Sequence, residues 1–83
     1  MPVLAGFNGI KIQFYADEHP PPHFHARYAE FIAQIALDDL RVIAGSLPAA
    51  QLRQVREWAS TRKSQLFTAW TTLEMGQLPE AIS

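Results

Sequence analysis

All three histidines of this 83-residue chain fall between positions 19 and 25, in the string Glu18-His19-Pro20-Pro21-Pro22-His23-Phe24-His25, which also holds half of its six prolines. Imidazole offers a metal-binding lone pair, and its unperturbed pKa lies close to neutral pH, so such a cluster suits cation binding or proton transfer. On an extended strand, His23 and His25 point the same way with Cα atoms about 6.6 Å apart, a separation that two imidazoles can bridge to one cation. His19 lies beyond a proline run. Straight polyproline geometry puts it roughly 12 Å from His23, so it joins the pair only if the segment bends or contains a cis X-Pro bond. Glu18, Asp17 or Glu30 would add an oxygen ligand, and the resulting nitrogen and oxygen set suits a divalent metal such as zinc, manganese, iron or nickel. The expected metal ligands are therefore His19, His23, His25 and Glu18. No zincin or zinc-finger spacing accompanies them.

A second reading needs no metal. His23 and His25 would be the catalytic acid and base, with Lys11, Arg27 or Arg41 holding a phosphodiester, and RNA or a small phosphate would be the substrate. In a third, the prolines fix a crossover and the two histidines are strand residues in water.

The elements that position these residues follow from periodicity. Ile10, Ile12, Phe14 and Ala16 alternate with Lys11, Gln13 and Tyr15, a period of two that predicts a strand over about 9–16. Alternation resumes over 23–28, 31–37 and 40–44, with Ala29-Glu30 and Asp38-Asp39 as two-residue reversals. Gly45-Ser46-Leu47-Pro48 marks the change to helix, Pro48 being suited to a helix start because its missing N–H has no partner there. Leu52, Val55, Ala59, Leu66, Ala69, Trp70 and Leu73 then share one stripe, and Gly76 with Pro79 ends it. Arg62 interrupts the stripe, so the helix over about 49–75 is expected to kink near 60–62. Residues 77–83 are read as a tail.

The expectation is one α+β domain over 1–83: a four-stranded antiparallel meander with a C-terminal helical stretch on its apolar face. Two-residue turns place Phe24 opposite Ile35, His25 opposite Gln34 and His23 opposite Ala36, with Arg41 flanking Ala36. The bulky apolar side chains then share the helix-covered face. The other face takes the histidines with Lys11, Gln13, Tyr15, Arg27, Gln34 and Arg41, and it is the expected binding face.

Composition narrows the function. With 48% hydrophobic and 18% charged residues the chain should fold by burial alone. It has no cysteine, which excludes thiolate metal sites and catalytic thiols. A net charge of -1 provides no global basic field, so nucleic acid would have to bind through a local basic face. No apolar run approaches the ~18 residues of a membrane span, and the first ten residues lack a basic n-region, so a cytoplasmic protein without a membrane partner is expected.

The string His19-x-Pro21-Pro22-His23-Phe24-His25-Ala26, the Gly45-x-Leu47-Pro48 turn, and Trp58 and Trp70 with Leu66 between them resemble a small bacterial family, domain of unknown function 4160. The resemblance implies no reaction. It implies a partner, because members are often encoded beside another small domain in an arrangement like a toxin–antitoxin or regulatory pair. Glu18 stands where that family usually has aspartate, Arg62 where it commonly has histidine, and Gln65 where it commonly has an acidic residue. The leading expectation is a binding or regulatory module acting with a protein partner or as a homo-oligomer; the alternative is a metal- or histidine-dependent phosphodiesterase.

Overall fold

The computed structural model of the protein describes residues 3–14 and 20–82. Five strands form one antiparallel sheet in sequence order: β1 (Val3–Phe7), β2 (Ile10–Gln13), β3 (His23–Tyr28), β4 (Phe31–Ala36) and β5 (Val42–Gly45). Two helices follow, α1 (Ala49–Ser60) and α2 (Lys63–Glu74). The architecture is α+β, with five strands where alternation predicts four.

The additional strand is β1. It joins β2 through Asn8-Gly9, both at positive φ (52° and 79°), which is the conformation a tight two-residue hairpin turn requires. A register shift between Val3 and Ala5 interrupts its alternation. Leu4 is nonetheless fully buried, and its carbonyl accepts from the Ile82 N–H, so the C-terminal segment covers part of this outer strand. Such cover blunts an edge that would otherwise offer unpaired backbone groups.

Between β3 and β4 the register is the one that a two-residue turn dictates: His23 faces Ala36, Phe24 faces Ile35 and His25 faces Gln34. The next reversal is longer than Asp38-Asp39 alone. The Leu40 N–H reaches back to the Ala36 carbonyl, Leu40 takes a φ of 62°, and β5 begins at Val42 where alternation predicts residue 40. The frame survives because the Ala36 N–H still donates to the Arg41 carbonyl, and Ile35 still faces Val42. A bulge then moves Ala44 opposite Gln34 and Gly45 opposite Ala33.

One face carries the core. Ile10, Ile12, Phe24, Ala26, Ala33 and Ile35 are buried beneath the helices, joined by Val55, Ala59, Leu66, Ala69 and Trp70. Trp58 of α1 stacks on Phe7 at 5.5 Å and meets Phe24 edge-on at 6.5 Å. Such aromatic pairs add about 0.5–1.5 kcal/mol beyond area burial.

The helical stretch expected over 49–75, with a kink near 60–62, is two separate helices. Twenty-seven residues of α-helix would be about 40 Å long, whereas the longest dimension of the molecule is 33 Å. The break falls at Thr61-Arg62. Side chains satisfy the last carbonyls of α1: Ser60 Oγ donates to Glu57 O, Thr61 Oγ1 to Trp58 O, and Arg62 to Trp58 O at 2.9 Å. The Arg62 guanidinium also lies over the Trp58 ring, 5.2 Å from its centroid. Arg62 thus belongs to the corner itself, and it frees α2 to turn away from α1. At its far end α2 closes on Gly76 (φ 80°), with the Gly76 N–H on Leu73 O and the Gln77 N–H on Thr72 O, a Schellman arrangement.

Candidate functional site

Strand β3 places His23 and His25, and α2 reaches His23 through Trp70. Because α2 changes direction, Trp70 reaches the end of the sheet and touches residues of both faces: Phe14 edge-on at 5.6 Å, and His23 at 5.5 Å. Trp70 thus lies against His23; His23 and His25 are only 5% and 6% exposed, and Gln13 is 6% exposed. The expectation that this face lies in water is corrected at this end of the sheet.

His23 and His25 point to the same side of β3 with ring centroids 5.3 Å apart, as their spacing on a strand requires. His25 stands between Gln13 of β2 and Gln34 of β4, its cross-strand neighbours. His23 Nδ1 lies 2.8 Å from the Pro21 carbonyl. A carbonyl only accepts, so His23 donates its Nδ1–H to Pro21 O. The Pro20–Pro21 peptide bond is cis. Glu18 and His19, expected as metal ligands, and Tyr15, expected on the binding face, lie outside the described residues. Among the described residues, no three His, Cys, Asp or Glu side chains form a cluster able to hold a metal ion.

The binding-face residues separate into three environments. Lys11 and Arg27 are exposed and directly opposite each other across β2 and β3, with Ile32 beside Arg27 on β4 and 39% exposed. Gln34 is half-buried next to His25. Arg41 is engaged elsewhere: its guanidinium pairs with Asp39 at 3.0 Å and with Asp38 at 3.4 Å inside its own turn. The Arg41 backbone N–H, assisted by its guanidinium, holds the Asp39 carboxyl below its ordinary value. The basic face therefore centres on Lys11 and Arg27.

Two participants were not singled out by residue type. Gln13 is legible only through register, as the residue opposite His25. Trp70 reads as core from its place on the helical stripe, and only the break at Thr61-Arg62 brings it to His23. A recess of about 560 Å³ lies apart from the histidines, between α2 and the C-terminal segment, lined by Thr68, Thr72, Gln77 and Glu80 among others.

A family model described as "Domain of unknown function (DUF4160)" matches residues 9–71. The chain belongs to that family. The DUF4160 match takes in β2 to β5, α1 and α2 as far as Thr71, and with them the histidine string, the Lys11–Arg27 pair and both tryptophans. β1 and the C-terminal segment lie outside it. No curated protein and no solved structure matches the chain. No described helix is long and apolar enough to cross a membrane.

Proposed function

We propose that this DUF4160 protein is a binding module that docks an acidic segment of a partner protein on the open part of its histidine-bearing sheet face. The supporting observation is the pairing of Lys11 with Arg27. Both are exposed, they stand directly opposite one another, and neither makes an ion pair among the described residues. Like charges so placed repel and destabilise a sheet. A carboxylate brought between them relieves that repulsion and gains two charge-assisted hydrogen bonds. Ile32, opposite Arg27 and 39% exposed, flanks the pair with apolar surface of the kind that interfaces cover.

Charge also selects among occupants. An isologous contact between two copies would bring the same cation pair to both sides of the interface, so a second copy fits poorly. Two cations on a chain of net charge -1 would release few counterions, so nucleic acid fits less well than an acidic peptide. The finer reading is a regulatory module, half of a toxin–antitoxin-like pair, whose partner is encoded beside it. The phosphodiesterase reading has less support. A general acid or base must come within about 3 Å of the reacting atoms, and imidazoles buried to this degree do not meet a polymer in the described conformation.

Co-expressed with the product of the adjacent gene, the wild-type protein should co-elute with it, and Lys11→Glu/Arg27→Glu should bind about 10- to 100-fold more weakly while remaining folded. Retention of wild-type affinity by the double variant would refute the docking surface. Binding of an RNA oligonucleotide with a steep salt dependence, in place of the protein, would assign the face to nucleic acid instead.

A further inference from the structure

The two edges of the sheet are unlike. At β1 the C-terminal segment supplies cover, through the Ile82 N–H on the Leu4 carbonyl. β5 is the opposite edge, last in the strand order. Among the described residues, the backbone of Val42–Gly45 has hydrogen-bond partners only in β4. Ala44 and Gly45 are exposed, and Val42 and Ile43 are half-buried. An edge left open in this way presents N–H and C=O groups able to pair with another strand, and native proteins commonly guard it with a charge or a proline. β5, of sequence Val-Ile-Ala-Gly, has neither.

From this asymmetry we propose that β5 is a self-association edge, on which a second copy of the chain pairs its own β5 antiparallel across a two-fold axis and joins two five-stranded sheets into one. Charge points to that occupant. An acidic segment suits Lys11–Arg27, whereas β5 is uncharged and the cations beside its first residues are already held: Arg41 by Asp38 and Asp39, and Arg56 Nε by the Leu40 carbonyl. A neutral apolar edge matches another of its kind, and two copies meet there without the like-charge repulsion that facing Lys11–Arg27 pairs would cause. The cover over β1 also blocks the head-to-tail alternative, β5 of one copy on β1 of the next, so the assembly closes at two copies. β5 is four residues long and its pairing with β4 is bulged, so the contact is small, and a Kd on the order of 10–100 µM is expected. The two-fold axis stands normal to the joined sheet and leaves both histidine-bearing faces on one side. The dimer then presents two Lys11–Arg27 patches to a partner, a consequence that rests on the docking proposal, whereas the pairing of β5 does not.

The test uses the full chain alone, in sedimentation velocity from about 5 µM to about 1 mM, a range that brackets the expected Kd. A concentration-dependent monomer–dimer equilibrium is expected, with no larger species. Ile43 lies outside the core cluster, so Ile43→Lys should fold as the wild type does. It brings like charges together beside the two-fold axis and should weaken the dimer about 10-fold or more. In a mixture of isotope-labelled and unlabelled wild-type chains, intermolecular NOEs are expected between the β5 backbone protons of the two copies, and these decide if the variant fails to fold. A monomer throughout the range, a dimer whose intermolecular NOEs lie on α1 or α2, or unchanged association of a folded Ile43→Lys would each overturn the assignment. None of these outcomes bears on the Lys11–Arg27 surface, which is read out by co-elution with a partner.

Discussion

Gly45→Ala is expected to destabilise the protein by at least about 3 kcal/mol, which combines the cost of left-handed backbone for a residue with a Cβ with that of a backbone clash. Gly45 holds a φ of 74° at the bulge where β5 pairs with β4, and a Cβ placed there would stand 2.0 Å from the Ile32 carbonyl oxygen and 3.2 Å from Ala33 Cα. Both are backbone atoms and cannot rotate aside. Relief would require β5 to separate from β4, with loss of the Ser46 N–H bond to Ile32 O. Gly76 provides the control. It has a similar φ of 80°, but a Cβ added there would meet nothing within 4 Å, so Gly76→Ala should cost only about 1–2 kcal/mol, the backbone term alone. Urea unfolding of the two variants separates steric from conformational cost. Equal losses would mean that the bulge opens more easily than its contacts indicate.

Trp70→Ala carries the second large effect, about 3–5 kcal/mol for removing a buried indole. A domain of this length has a total stability of roughly 4–12 kcal/mol, so the variant should be substantially unfolded at 37 °C. Trp70 bridges Phe14 on the core side and His23 on the other, and it is 5% exposed. Trp70→Phe should recover more than half of the loss while exposing the His23 ring. Circular dichroism melts of the two variants check the stability term, and the rate at which diethyl pyrocarbonate modifies His23 checks the exposure. If Trp70→Phe leaves that rate unchanged, the indole is not what covers His23.

The histidine segment and the sheet were legible to different depths, for physical reasons. Period-two alternation with Ala29-Glu30 as a reversal fixes the β3–β4 register, because a one-residue slip would send Phe24, Ala26, Ala33 and Ile35 to the wrong face. β1 escaped because the shift between Val3 and Ala5 breaks its alternation, although Asn8-Gly9 between Phe7 and Ile10 is the signal that marks such a hairpin. The burial of His23 and His25 was not legible at all from the strand pattern. For His23, tertiary geometry contributes: the helical stripe continues through Thr61-Arg62 in sequence while the helix breaks there, and Trp70 comes to lie against the His23 ring. Arg41 shows the same limit at shorter range. Alternation sends it to the binding face, and the adjacent Asp38 and Asp39 hold its guanidinium in the turn.

Those differences divide the polar face into two regions, a buried corner at His23, His25 and Gln13 and an open patch at Lys11, Arg27 and Ile32. The proposed docking function rests on the open patch. Its most direct test is a ¹⁵N-labelled backbone titration with the protein encoded by the adjacent gene. Docking on the patch predicts that shifts concentrate on Lys11, Arg27, Ile32 and Gln34 and leave α1 unmoved. Shifts confined to α1, or to the recess between α2 and residues 77–82, would contradict it.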